Sequence, residues 1–447
     1  MQITMYNFPR KWLLVILFFS LCNTLKAQTL GTSNHNSERE NNPYSKYGIG
    51  ELWNGNSTAI KAMSNITSAY NDPFIINADN PASYSSLVLT TFEGGAIASR
   101  RTITNATGAS YTTSTASLGY LCLGLPINKN AGLSFGLRPY SKTYYALVDT
   151  SITPVGQTMR SYAGDGGLSY AYLGAAYKFK GLSIGFNFGY LFGNYRNFTT
   201  VNGIDSLAIN RAYEAQFAKY NRLGGIYWKG GFNYTHKFSD SQYVFTLGGT
   251  LSLGQNIKET VSSYRISIYN FGDTLVNDTN RAYSYADRTG KLKLPVSYSI
   301  GVMMSKNEKW GLGIDYTATN WAGYNSSPDS SWNYGIASQT YKLAIGGQFT
   351  PNSADLNNYF SRVTLRAGLY YGTDYVRLQN TTMSCYGFTL GGSFPYKRNV
   401  RTFSRLQASI DIGRMGTTAN NLLQQSYVRF GLGLTFNEKW FIPRKYE

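Results

Sequence analysis

The sequence predicts an all-β fold: a transmembrane antiparallel up-and-down β-barrel of about fourteen strands behind a compact N-terminal segment. Three observations carry that prediction. From Leu87 onward, apolar and polar residues alternate with period two. The alternating segments run roughly 10 to 16 residues, whereas strands of soluble proteins average about five or six. After Ala27 no stretch of about 18 apolar residues occurs, which excludes transmembrane helices.

The elements follow in chain order. Residues 1–27 read as a removable signal peptide: Arg10 and Lys11 supply positive charge, WLLVILFFSLC is a short apolar core, and Ala27 suits cleavage before Gln28. Cys22 follows the bulky Leu21, where a lipid-modified cysteine wants a small neighbour, so a lipoprotein is the weaker reading. Residues 28–41 are polar and expected to be flexible. Residues 42–86 differ in kind. Gly48, Gly50, Pro73 and Pro81 mark turns, and Tyr44, Tyr47, Trp53 and Tyr70 are aromatics that a compact irregular unit would bury.

Residues 87–447 are read as the barrel. The clearest strand begins at Leu182 and sets Ile184, Phe186, Phe188, Tyr190 and Phe192 on one face and Ser183, Gly185, Asn187 and Gly189 on the other. Strands are expected to begin near Leu87, Thr112, Ala131, Leu168, Leu182, Leu223, Tyr243, Lys291, Lys309, Thr340, Arg362, Thr382, Phe403 and Ser426. Short turns at 126–130, 238–242 and 306–309 alternate with long loops expected at 149–167, 198–220, 255–290 and 322–339. Closure has a physical cause: in hydrocarbon every backbone N–H and C=O needs a partner, and only a closed sheet has no edges.

Composition agrees, with 46 Gly, 38 Tyr, only 12 Pro and 14% charged residues. The net charge of +18 becomes +15 once Arg10, Lys11 and Lys26 are removed. Its Lys and Arg are scattered, with no basic run for nucleic acid, so outer-membrane lipids and lipopolysaccharide are the expected counter-charges. Cys122 and Cys385 lie far apart in apolar strands and read as small hydrophobes.

Catalytic constellations are thin. His35 lies in the polar tail, and His236 sits in register with Phe232, Tyr234 and Phe238, as an interfacial side chain would. Ser239, Asp240 and Ser241 look like a turn rather than a triad. Asp273, Asp278 and Asp287 lack the alternation of a calcium loop. No enzyme activity, cofactor or metal site is expected. The Gly-Gly pairs at 166–167, 224–225 and 391–392 read as wall curvature and packing, not phosphate cradles.

Two motifs carry a resemblance: Tyr47-Gly48-Ile49-Gly50, and Asn77-Ala78-Asp79-Asn80-Pro81-Ala82 five residues before Leu87. With Lys291-Leu292-Lys293-Leu294-Pro295, Trp310–Tyr316 and Leu365–Tyr370, the chain resembles the FadL/TodX family of outer-membrane transporters of hydrophobic compounds. It departs at Ser64, where family members carry glycine. The resemblance implies a fourteen-strand barrel whose residues 42–86 form a hatch-like plug, with Gly48, Gly50, Asn80, Pro81 and Ala82 in the hatch motif and a gating role. Asp79 and Asn80 are expected to cap a turn, Pro81 to fix φ and Ala82 to allow close packing.

The expected function is passive transport of a hydrophobic or amphipathic small molecule across the outer membrane of a gram-negative bacterium. The alternative is a non-transporting barrel that acts, with partner proteins, as scaffold or accessory in a secretion or outer-membrane assembly complex. An open porin is disfavoured because the readable lumen-facing positions are small and uncharged.

Overall fold

The computed structural model describes residues 41–153, 156–204, 213–238, 242–271, 274–306, 309–355, 357–398 and 402–440. The signal-peptide reading, His35, Ser239, Asp240, Ser241 and Asp273 lie outside them.

Fourteen antiparallel strands form the wall: β1 Thr90–Thr104, β2 Ser110–Pro126, β3 Ala131–Thr153, β4 Gly156–Phe179, β5 Leu182–Ile204 and β6 Tyr213–Lys237. Strand β7 runs Tyr243–Ser252 and Asn256–Phe271, and β8 runs Thr274–Lys293 and Val296–Lys306. Then come β9 Trp310–Asn320, β10 Gln339–Phe349, β11 Thr364–Leu378, β12 Thr381–Arg398, β13 Thr402–Gly416 and β14 Gln424–Glu438. The last strand pairs with the first from Gln424↔Thr104 to Glu438↔Thr90, which closes the sheet.

Strands β7 and β8 are each broken once yet hold their place, because both halves of β7 pair with β6 and with β8. The break in β7 ends at Gln255, whose amide repairs the ladder. It accepts from Trp228 N–H at 2.8 Å and donates to Trp228 C=O at 3.0 Å. In β8 the break falls at Leu294-Pro295, where proline has no N–H to give.

Period two is realised as expected. On β5, Ile184, Phe186, Phe188 and Tyr190 are exposed on the outer face, while Ser183 and Asn187 are buried on the inner one. Burying backbone in a closed ladder and presenting apolar rows to hydrocarbon is what a spanning barrel requires.

Three expected loops are instead strand. Residues 149–153 pair with 156–160, β5 and β6 stay paired out to Asn202↔Glu214, and residues 256–271 ladder onto β8. The reason is that hydropathy alternates only where one face meets lipid. Beyond the bilayer the outer face meets water instead of lipid, so the sequence signal fades while backbone pairing continues. Residues 322–339 are irregular as expected, with 3-10 turns at Trp321–Gly323 and Ser330–Asn333.

Residues 41–89 lie within the ring, touching strands around its whole circumference. Their own regular structure is slight: 3-10 turns at Pro43–Lys46 and Pro81–Ser86, a two-residue strand at Glu51–Leu52 and one helical turn, α1, at Thr58–Lys61.

Candidate functional site: the filled lumen and the opening in its wall

The strand ladder is incomplete at one place. Strands β2 and β3 pair only from Leu121↔Leu137 to Pro126↔Gly132. Above Leu121, β2 remains paired to β1 and β3 to β4, but not to each other. The N-terminal segment enters the opening and takes the β3 side. Glu51 and Leu52 pair with Lys142 and Ser141, Asn42 N–H donates to Tyr144 C=O at 2.8 Å, and Trp53 N–H donates to Tyr140 C=O at 2.9 Å. On the β2 side the segment meets a side chain, Asn41 N–H donating to Thr113 Oγ1 at 3.1 Å, and Lys142 Nζ of β3 reaches across to Ser117 Oγ at 2.5 Å. Where the two strands part, the outer wall holds an apolar recess of about 690 Å³ lined by Leu121, Phe135, Leu137, Leu173, Phe188 and Tyr190.

Of the sequence-predicted residues, Gly50 sits at this opening against Lys142 and Thr143, and Gly48 lies in the turn before it against Tyr375 and Ile336. Gly48 and Gly50 have φ of +56° and +80°, a region that favours glycine. A Cβ on Gly50 would also approach Lys142 O to 2.6 Å. Tyr375 fixes the turn, its hydroxyl donating to Tyr47 O at 3.0 Å and to Gly50 O.

The remaining three sit deeper. Asn80 caps the 3-10 turn, its Oδ1 accepting from Ala82 N–H at 3.1 Å, and its Nδ2 donates to Ser68 O at 2.5 Å. Pro81 and Ala82 lie against Gly185 of β5, and Asn80 against Gly231 of β6. Any side chain at those wall glycines would occupy the space the segment fills. That close approach accounts for glycine on the inner face of these strands.

Asp79 does something else: it does not cap. Its carboxylate binds Arg138 at 2.9 Å, Lys229 at 3.6 Å and the Asn56 amide at 2.7 Å. Burial would raise its pKa, but the Lys229 and Arg138 cations outweigh burial and hold it well below the usual carboxylate range.

Charge was the feature that sequence reasoning missed. Far from small and uncharged, the inner wall presents Glu93, Arg101, Arg138, Asp315 and Arg366, all buried against the segment. Glu51 meets Arg101 at 2.7 Å, Arg429 at 2.5 Å and Asn42 Nδ2 at 2.7 Å. Burial pushes Glu51 up, and the two guanidiniums overcome it, holding the carboxyl at about 2. Asp315 accepts from the backbone N–H groups of Thr67 at 2.7 Å and Ser68 at 2.9 Å, and Gln407 Oε1 accepts from Ala59 N–H at 3.0 Å. A signal was available. A lone charge at an inward-parity position of an amphipathic strand needs a partner, and Asp315 in Gly-Ile-Asp-Tyr is one.

Two further side chains are informative. Ser64 has φ +57°, so the position where glycine is the family habit does adopt the left-handed conformation. The Ser64 hydroxyl lies 3.1 Å from Thr389 Oγ1 of β12, a hydrogen bond that ties this residue to the wall. Lys61 Nζ is buried without a hydrogen-bond partner, 5.6 Å from the centre of the Tyr120 ring, and burial, with Lys142 and Arg429 nearby, pushes it down to about 7.

His236 is exposed on the outer face of β6 with its ring 5.0 Å from Phe238. Asp287 pairs with Arg222 at 3.6 Å. Among the described residues no three His, Cys, Asp or Glu side chains converge as a metal would need.

A closed fourteen-strand antiparallel barrel with an internal N-terminal segment is a FadL-like β-barrel fold. Solved structures with this fold include the Pseudomonas putida toluene transporter TodX, at 17% identity over 87% of this chain and 99% of that one, with a TM-score of 0.55. A Pseudomonas aeruginosa FadL homologue is similar at 14% identity over 88% and 100% of the two chains, with a TM-score of 0.53. The Ralstonia pickettii toluene transporter TbuX follows at 13% identity over 86% and 98%, with a TM-score of 0.51. No curated protein matches the sequence. The sequence model of the family described as BamG matches residues 10–447, and the chain belongs to that family.

Proposed function

We propose that this barrel, in a gram-negative outer membrane, passes a hydrophobic or amphipathic small molecule sideways through its wall, without catalysis. The observation that carries this is the opening between β2 and β3 beside an apolar recess. A solute leaving the lumen there meets hydrocarbon rather than water, which favours an apolar molecule over an ion. Residues 42–86 act as the hatch. Gly48 and Gly50 shape the turn that leads into the opening, while Asn80, Pro81 and Ala82 seat the deeper end. The toluene transporters among its structural relatives suggest monoaromatics as first substrates to try. In proteoliposomes, uptake of labelled toluene should exceed the protein-free rate and fall about tenfold in Leu137→Asp, which puts a charge in the recess. Equal rates for both proteins would sink this reading.

A second reading is favoured by the β2 edge. Residues 110–118 (SYTTSTASL) carry no charge and have an unpaired ladder side, the feature by which sheets accept a strand from a partner. That suits a scaffold in an assembly or secretion complex. Purification from native membranes decides between the two: stoichiometric partner proteins on an empty barrel favour the scaffold, and a retained hydrophobic molecule favours transport.

A further inference from the structure

At the end of the barrel opposite the wall opening, between residues 69–74 of the internal segment and the ends of several strands, lies a cavity of about 190 Å³. The short turns at 127–130 and Lys180–Gly181 lie at this end, which by the usual barrel orientation faces the periplasm. Three guanidiniums line it, from Arg362, Arg366 and Arg405, against a single carboxylate, Asp72.

The acid is already spent. Asp72 Oδ1 accepts from Phe74 N–H at 2.8 Å and Oδ2 lies 3.3 Å from the Tyr70 hydroxyl. The bases are not. Arg366 is only 3% exposed, and it donates through Nη1 to Ser393 Oγ at 2.5 Å while its buried Nε has no partner. Arg362 Nε is likewise buried and unpartnered. An unpartnered guanidinium N–H in a buried site is costly, and an oxyanion is the group that satisfies it, since its lone pairs match the guanidinium fork. Beside the cations is an aromatic wall. Phe74 and Phe403 meet edge to face with centroids 5.1 Å apart, and the Arg405 guanidinium lies 4.1 Å above the Phe403 ring.

We propose that this cavity is an oxyanion-headgroup site. It takes a carboxylate or phosphate against Arg362 and Arg366, with an attached apolar portion against Phe74 and Phe403. The site goes beyond the transport reading and stands without it, because it lies at the other end of the lumen from the wall opening and is tested by binding alone.

The test is calorimetry on the full-chain protein in a non-ionic detergent, titrated separately with octyl phosphate, octanoate, inorganic phosphate and octanol. Saturable one-to-one binding of octyl phosphate or octanoate, with octanol inert, is expected. An alkyl anion that binds at least tenfold tighter than inorganic phosphate identifies an amphiphile headgroup; equal affinity identifies free phosphate. Arg362→Gln should weaken binding at least tenfold. Gln348→Glu, which places a negative charge in the lining, should abolish it while the folded electrophoretic form is retained. No saturable binding by any anion overturns the proposal. So does binding left intact in both variants.

Discussion

Glu51 shows how one side chain holds the internal segment to the wall. Replacing it by Gln leaves Arg101, whose side chain is fully buried, beside an uncharged amide, and removing one member of a buried ion cluster costs about 3 kcal/mol. The expected outcome is a lower unfolding temperature in Glu51→Gln, read by the shift from folded to unfolded electrophoretic mobility. The carboxyl titrates at 4.5 unfolded and at about 2 in the fold. Its contribution is therefore complete above pH 4.5 and is lost as pH falls toward 2. Wild-type stability should decline across that window, and the variant should decline less. Lys61 behaves in the opposite sense. It is a base held at about 7 instead of 10.5, so burial penalises its charged form, and the penalty grows as pH falls from 10.5 to 7. Lys61→Met should raise the unfolding temperature, with a larger gain at neutral than at alkaline pH. A gain independent of pH would mean that packing, not charge, is responsible.

Among the elements, β2 is the exception in an otherwise complete ladder. The backbone of residues 110–120 pairs with β1 on one side and, among the described residues, with no strand on the other. Alternate amides there should exchange with deuterium far faster than those of β5, which is paired on both sides. Uniform protection along β2 would show that something covers the edge. The element scale is also where sequence reading succeeds and then fades. Fourteen strands were legible because each crosses a medium that sorts its two faces, as Ile184 to Phe192 illustrate. Their extensions were not legible, since at Thr199 or Ser262 neither face meets lipid and the alternation carries no information.

For the whole molecule, the lumen and the segment that fills it are electrostatic complements. With residues 42–86 deleted, Arg101, Arg138, Arg366 and Arg429 would line the lumen against Glu93, Asp315 and Asp411, a cationic excess. Planar-bilayer recordings should show the full chain to be non-conducting and the deletion variant to form an anion-selective pore. A cation-selective pore would contradict the assignment of these arginines to the inner wall.

By itself the sequence determined the class of fold, the strand number and the turn chemistry at Gly48, Gly50 and Asn80-Pro81-Ala82. Those depend on local rules: period-two hydropathy, the φ range open to each residue, and the reach of a side chain to its own backbone. Only the tertiary structure decided which charges meet. Glu51 and Arg429 are 378 residues apart, and Ser57 and Gln407 are 350 apart. It also decided where the wall fails to close and where Arg362 and Arg366 converge. Such pairings arise because closing the sheet brings distant strands around one internal segment, and no local pattern encodes which inward side chain will face which.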